Sequence, residues 1–147
     1  RVDVCRLRPG DRVAVTGCRF MGQMMLQVLT RSYALEVIGL DINTDRLALA
    51  RSTRVEQLHD LTGSDTDDRI RDLHDRNIDI VVDTSGSQSG LDLAAKLVRR
   101  DGMINLFGWI KGTRATAFTS RASRSPSPRK LSEKRVSEKK RPGSRRS

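Results

Sequence analysis

Apolar runs that suit strands alternate with amphipathic runs that suit helices along residues 12–108. Alternation at this spacing predicts a parallel sheet with helices on both faces, because a crossover must separate each strand from the next parallel one. Right-handed crossovers make this a doubly wound α/β fold. The predicted strands are 12–16, 36–40, 55–58, 78–82 and 103–107, and the predicted helices are 20–32, 44–52, 67–75 and 89–99.

The turn after the first predicted strand has a spacing of glycines that is typical of phosphate binding. It reads Gly17-Cys18-Arg19-Phe20-Met21-Gly22. A Rossmann-like dinucleotide fold uses Gly-x-Gly-x-x-Gly here: the first glycine makes the turn, the second admits the pyrophosphate and the third lets the helix pack on the strand. Gly17 and Gly22 fill the first and third places. Arg19 fills the second, where we expect its side chain to crowd the pyrophosphate although its charge would attract it.

An acidic residue follows the second predicted strand. Asp41 lies 19 residues after Gly22, and an acid at about this distance hydrogen-bonds the adenosine ribose hydroxyls and repels a 2′-phosphate. The sequence therefore predicts NAD rather than NADP as the coenzyme. The alternative role for Asp41 is to cap or turn the helix that follows, a role that Asn43 can also fill.

Taken together, these motifs resemble the medium-chain, zinc-type alcohol dehydrogenase family, in particular its sorbitol and threonine dehydrogenase members. The similar stretches are 7–15, 17–22, 39–50, 79–87 and 102–108, in the family's order. The resemblance covers about residues 5–118 and implies a coenzyme-binding domain in which Arg46 lies near the adenosine. It also implies that two turns lie beside the ribose and the nicotinamide: Thr84, Ser85 and Gly86, and then Phe107, Gly108 and Trp109.

The same resemblance implies a zinc ion, held by an N-terminal catalytic domain, that polarises the oxygen of an alcohol or polyol substrate. The candidate ligands in this chain are Cys5, Cys18, His59 and His74, and they lack the close spacing of zinc-ligand pairs. We therefore expect this chain to supply coenzyme binding without a metal site and to be inactive by itself. The resemblance is also compatible with a homo-oligomer in the intact enzyme.

The formal net charge of +10 is concentrated near the end of the chain. Residues 121–147 hold 11 lysines and arginines against Glu133 and Glu138, whereas residues 1–120 carry a net charge of +1. A segment so poor in apolar side chains cannot offset its ordering entropy. We therefore predict a dinucleotide-binding domain over 1–119 and a disordered basic tail over 120–147. The tail is the one part expected to contact nucleic acid, and a reading-frame error is the alternative explanation of its composition.

Other features of the sequence bound the function without fixing it. Two cysteines are too few for a disulfide framework and indicate free thiols in a reducing, cytoplasmic compartment. No apolar run reaches the roughly 20 residues of a membrane helix. Three alternatives stay open: a methyltransferase that uses S-adenosylmethionine, a nucleic-acid binder acting through its tail, and a non-functional gene remnant. The Gly108 turn and residues 7–11 favour the dehydrogenase.

Overall fold

The computed structural model describes residues 6–108, and strands alternate with helices throughout them. This part of the chain has five strands, β1 (Arg12–Thr16), β2 (Glu36–Asp41), β3 (Gln57–Asp60), β4 (Ile78–Asp83) and β5 (Val98–Leu106). Four helices connect them: α1 (Phe20–Leu29), α2 (Thr44–Arg51), α3 (Thr66–Asp75) and α4 (Gln88–Leu97). The strands pair in parallel in the order β3-β2-β1-β4-β5. The predicted doubly wound, Rossmann-like α/β fold is confirmed.

The sheet carries apolar side chains on both faces, because neighbouring residues of a strand point to opposite sides. On one face, Val13 of β1 belongs to the same buried cluster as Leu26 of α1. On the other face, Ala14 clusters with Leu73 of α3 and Leu97 of α4. Helices α1 and α2 therefore cover one face of the sheet, and α3 and α4 cover the other.

Two predicted strand starts are wrong, and each observed start lies three residues from a residue with left-handed backbone. Strand β3 begins two residues later than predicted, after Arg54, whose φ is +69°. Strand β5 begins at Val98 rather than at residue 103, because α4 ends at Leu97 and the chain enters the sheet at once. The strand then bulges around Asp101 (φ +61°) before regular pairing with β4 resumes. Left-handed backbone favours glycine, so the sequence did not predict these conformations at Arg54 and Asp101.

Helix α1 is shorter than predicted and leaves part of its apolar sequence in solvent. It ends at Leu29 rather than at residue 32, and the Thr30 hydroxyl donates to the Leu26 carbonyl at 2.9 Å where the helix stops. Met25 and Leu29 are buried, whereas Met24 and Val28 are exposed. The helical spacing therefore identified the helix, although only part of its apolar set faces the sheet.

The central strands β1 and β4 are joined at their carboxyl ends by side chains as well as by the sheet. The Thr16 hydroxyl donates to Asp83 Oδ1 at 3.0 Å, and the Thr84 amide donates to the Thr16 carbonyl at 2.9 Å. Both Thr16 and Asp83 are fully buried. The turns that follow β1 and β4 are consequently held side by side.

Several predictions fall on other parts of the chain. Trp109, Cys5 and the predicted tail lie outside the described residues 6–108, so the domain boundary between residues 119 and 120 stays a prediction. Within residues 6–108, none of the helices combines the length and the apolar character that crossing a bilayer requires.

Candidate functional site

A cavity of about 630 Å³ lies at the carboxyl ends of β1 and β2. This volume falls within the range of small-molecule sites. Five of the predicted site residues line it: Gly17, Arg19, Asp41, Arg46 and Ser85. A second cavity, of about 500 Å³, lies at the opposite, amino-terminal ends of the strands, beside Arg12, Glu36 and Gln57. These five residues thus converge on the cavity at the end of the sheet where such folds bind ligands.

The two glycines of the loop between β1 and α1 lie where a side chain would not fit. Gly17 has φ +87°, and a Cβ atom there would lie 2.9 Å from the backbone of Ser85. A Cβ atom on Gly22 would collide with the carbonyl oxygen of Gly17 and lie 3.0 Å from Thr84 Oγ1. The loop is therefore folded against the turn after β4, and its first and last residues must be glycine for that packing.

Arg19, at the middle glycine position of the motif, has ordinary backbone geometry. Its φ is −71° and its ψ is −169°, an extended conformation that any residue adopts. Its side chain is exposed and lines the cavity. Within the described residues the guanidinium makes no hydrogen bond or ion pair. Glycine is therefore not required here for the backbone, and crowding of a pyrophosphate stays a prediction.

The carboxylate of Asp41 is almost completely buried, with 4% of the residue exposed. Its Oδ2 accepts a hydrogen bond from the Cys18 amide at 2.6 Å, and its Oδ1 accepts from the Asn43 amide at 2.9 Å. The Arg46 guanidinium lies 3.5 Å from Oδ1. Asn43, rather than Asp41, caps α2, because its side chain accepts from the Arg46 amide. Asp41 therefore connects the end of β2 to the glycine loop.

The sequence analysis missed Gln23, a buried polar residue behind the loop. It is 8% exposed, and its Nε2 donates to the Cys18 carbonyl at 3.0 Å and to the Arg46 carbonyl at 2.8 Å. Its Oε1 is buried without a hydrogen-bond partner in the described structure. The available signal was a glutamine one helical turn before Leu26, on the buried face of α1 that is otherwise free of polar side chains.

The turn after β4 forms the opposite wall of the cavity. The Ser85 hydroxyl donates to Asp83 Oδ1 at 2.6 Å and contacts the Ser87 hydroxyl at 3.0 Å. Gly86 has φ +65°, and a Cβ atom on Gly108 would collide with its amide nitrogen. The predicted turns after β4 and β5 are therefore adjacent, as parallel neighbouring strands require.

Not every predicted site residue reaches the cavity. Phe20 and Met21 are exposed at the start of α1, and Phe107 is 44% exposed after β5. None of these three lines the cavity. Thr84 is buried and bonds the Gly17 carbonyl at 2.5 Å, so it supports the loop from behind. Whether the exposed residues contact a ligand stays a prediction.

Cys18 is a buried residue of the glycine loop, with 1% of the residue exposed. Burial and the adjacent Asp41 charge raise the pKa of its thiol to about 12. We expect the thiol to react with 5,5′-dithiobis(2-nitrobenzoate) at pH 8 at least about a thousandfold more slowly in the folded chain than in urea, because thiolate is the nucleophile. A Cys5→Ser background makes Cys18 the one thiol observed. Equal rates in the folded and unfolded states would contradict this expectation.

The histidines of the described residues do not lie in the cavity wall. His59, on β3, has a buried Nε2 without a hydrogen-bond partner in the described region, and burial, with the charges of Arg69 and Arg76, lowers its pKa. His74, on α3, is exposed. Residues 6–108 contain no cluster of three His, Cys, Asp or Glu side chains that could hold a metal ion.

Comparison with known proteins identifies relatives of this fold and sequence. A family model described as zinc-binding dehydrogenase matches residues 21–129. The L-threonine 3-dehydrogenase of Ruegeria pomeroyi is 33% identical over 102 residues, which cover 67% of this chain and 30% of that enzyme. This agrees with the resemblance drawn from the motifs.

Solved structures give the same result. An oxidoreductase/dehydrogenase of unknown specificity from Escherichia coli superposes with a TM-score of 0.72 at 29% identity, covering 78% of this chain and 33% of that one. A zinc-binding dehydrogenase from Sinorhizobium meliloti, crystallised with NADP, shares the fold with a TM-score of 0.69 at 18% identity, covering 79% and 35%. The chain spans between 30% and 33% of the length of the curated relatives.

Proposed function

Because the chain belongs to the zinc-binding dehydrogenase family and corresponds to its coenzyme-binding domain, we propose that it binds NAD at the carboxyl ends of β1, β2 and β4. In this proposal the chain orients the nicotinamide for hydride transfer with an alcohol or polyol. When bound, NAD supplies the hydride acceptor, and the protein supplies binding and orientation.

One observation carries the proposal: Asp41, at the end of β2, is bonded to the glycine loop that follows β1. The Cys18 amide donates to its carboxylate at 2.6 Å, so the predicted ribose acid and the predicted phosphate loop form one structure. Gly17 and Gly22 let the loop pack directly against neighbouring backbone that a Cβ atom would meet, and the adjoining cavity measures about 630 Å³. These features fit a dinucleotide, whose pyrophosphate and ribose must be bound side by side.

Each part of the proposed coenzyme site has a distinct task. The amides at the start of α1 hold the pyrophosphate, because a helix N-terminus attracts anions. Arg19 adds a positive charge to that end of the cavity. Asp41 accepts hydrogen bonds from the adenosine ribose hydroxyls, and Arg46 keeps the carboxylate oriented. The turns 84–86 and 107–109 are proposed to lie beside the nicotinamide and its ribose.

Zinc, although it belongs to the family, does not fit the residues described here. Within residues 6–108 no three ligating side chains lie together, and a catalytic zinc needs three protein ligands. We therefore assign no zinc step to these residues. The metal and the alcohol or polyol are proposed to bind to regions equivalent to the rest of the relatives' length, and the chain by itself is proposed to be inactive. The division of the chain at residues 119 and 120 is likewise a proposal.

The proposal predicts that NAD binds to the chain more tightly than NADP. A 2′-phosphate would lie near the Asp41 carboxylate, and the repulsion is expected to weaken NADP binding about tenfold, or ~1.4 kcal/mol. The measurement is calorimetric titration of both coenzymes into the 147-residue chain. An Arg19→Gly version, titrated in parallel, separates crowding, which glycine would relieve, from attraction, which glycine would remove.

Two results would count against this function. A chain that is folded by circular dichroism but does not bind NAD at millimolar concentration would contradict coenzyme binding altogether. Binding of S-adenosylmethionine without NAD would instead support a methyltransferase-like site. Equal affinity for NAD and NADP would leave coenzyme binding intact and contradict the role of Asp41 in discriminating between them.

A further inference from the structure

Four residues form a closed ring of hydrogen bonds at the edge of the cavity, and two of them, Asp41 and Arg46, line it. Asp41 accepts from the Cys18 amide at 2.6 Å, and Arg46 approaches the same carboxylate at 3.5 Å. Gln23 closes the ring, because its single Nε2 donates to the carbonyls of both Cys18 and Arg46, at 3.0 and 2.8 Å. The ring therefore joins the glycine loop, the end of β2 and the first turn of α2.

We propose that Gln23 is a positioning residue that couples the phosphate-binding loop to the ribose-binding acid. The inference rests on the proposed coenzyme site and deepens it, because it concerns how the two ends of that site act together. Gln23 does not line the cavity, so its effect is exerted through Cys18 and Arg46 rather than by contact with the ligand.

The geometry gives Gln23 this role because the backbone of Cys18 is hydrogen-bonded on both sides. Asp41 accepts a hydrogen bond from the Cys18 amide on the side of β2, and Gln23 donates one to the Cys18 carbonyl on the side of α1. A ribose that engages Asp41 draws on the same carboxylate that fixes the loop. The hydrogen bond from Gln23 still holds the loop when Asp41 binds the ribose. The backbone amides that bind the pyrophosphate therefore stay aligned.

Burying the Gln23 side chain at this position also costs free energy, which argues against a role that only fills space. Its Oε1 is buried without a partner in residues 6–108, and an unpaired buried carbonyl oxygen is unfavourable. An apolar side chain of the same length would fill the space without that cost. The two donated bonds are the feature that such a replacement would lose.

The test is a double-mutant cycle on the full chain, with NAD as the ligand and calorimetry as the measurement. Gln23→Met keeps the length and removes both donated bonds, and Asp41→Asn weakens the ribose acceptor. We expect Gln23→Met to weaken NAD binding about tenfold, the scale of one to two hydrogen bonds. The loss of NAD affinity in the double variant is expected to be smaller, by about fivefold or more, than the product of the losses in the two single variants.

Two controls separate coupling from general damage. Gln27→Met makes the same chemical change one turn further along α1, at an exposed position, and is expected to leave NAD affinity unchanged. Adenosine lacks the pyrophosphate, so its dissociation constant, from NMR titration, is expected to change less than about twofold in Gln23→Met. Gln23→Asn, whose shorter amide cannot bridge both carbonyls, replaces Gln23→Met if the latter does not fold.

The outcomes discriminate between the two proposals. If the parent chain binds NAD and the loss of affinity in the double variant equals the product of the two single losses, the coupling is overturned and the coenzyme site is left intact. Equal weakening of NAD and adenosine would also overturn it, because a general loss of structure affects both ligands alike. Failure of the parent chain to bind NAD would overturn both.

Discussion

Replacing Asp41 by alanine is expected to weaken NAD binding about a hundredfold or more, because a site built to hydrogen-bond a ligand hydroxyl loses much affinity when its acceptor is removed. The same change leaves the Cys18 amide without its partner at 2.6 Å. That amide is buried, so a loss of about 1–3 kcal/mol in the free energy of unfolding should accompany the loss of affinity. Calorimetric titration with NAD and urea unfolding measure the two effects separately.

Asp45→Ala is the matched control for this change. Asp45 is an exposed acid in the first turn of α2, four positions from Asp41 and outside the cavity lining. Asp45→Ala removes the same charge near the same helix without removing a group that lines the cavity. Both NAD affinity and the free energy of unfolding should therefore stay close to those of the parent chain. Equal losses in the two variants would show that net charge, rather than the placed carboxylate, governs binding.

Replacing Gly22 by alanine is expected to lower the free energy of unfolding by about 3 kcal/mol, the scale of a steric clash inside a well-packed region. The added methyl group would collide with the Gly17 carbonyl oxygen, and it would lie 3.0 Å from Thr84 Oγ1. Both atoms are held by the packing of the loop on the turn after β4. Relief of the collision therefore requires α1 to move away from the sheet, which also displaces the proposed phosphate amides.

Gly63→Ala provides the comparison for Gly22→Ala. A Cβ atom at Gly63 would meet the Asp65 side chain at 2.6 Å, an exposed group that can turn aside. Urea unfolding of both variants should therefore show a large shift of the midpoint for Gly22→Ala and a small one for Gly63→Ala. A Gly22→Ala midpoint equal to that of the parent chain would contradict the close approach of α1 to β1.

The central part of the fold was predictable because its strands are buried on both faces. Residues 13–15 of β1 and 80–82 of β4 form continuous apolar runs, which is the pattern of a parallel strand covered by helices. The edges were harder to predict. Strand β3 is a half-buried edge strand that contains His59 and Asp60, and the start of β5 depends on a bulge that local sequence does not encode. Edge strands bury less apolar surface, so their pattern is weaker.

The candidate site shows the same division between local and distant information. Asp41 could be predicted as a candidate site residue because it ends a buried strand, where such folds place ligand-binding acids. Its bond to the Cys18 amide joins residues 23 positions apart, and the two bonds of Gln23 depend on how α1 and α2 approach each other. Contacts of this kind arise from packing between elements, which spacing along the chain does not specify.

We expect the pairing of β1 with β4 to form late in folding. Thr16 and Asp83 are bonded across 67 positions of sequence, and closing so long a loop costs entropy before any contact repays it. During synthesis, β1 can pair with β2 long before β4 exists, but the wall formed by Ser85 arrives only afterwards. The proposed coenzyme cavity is therefore expected to be completed late, and a bound coenzyme is expected to stabilise the folded state without accelerating the first steps of folding.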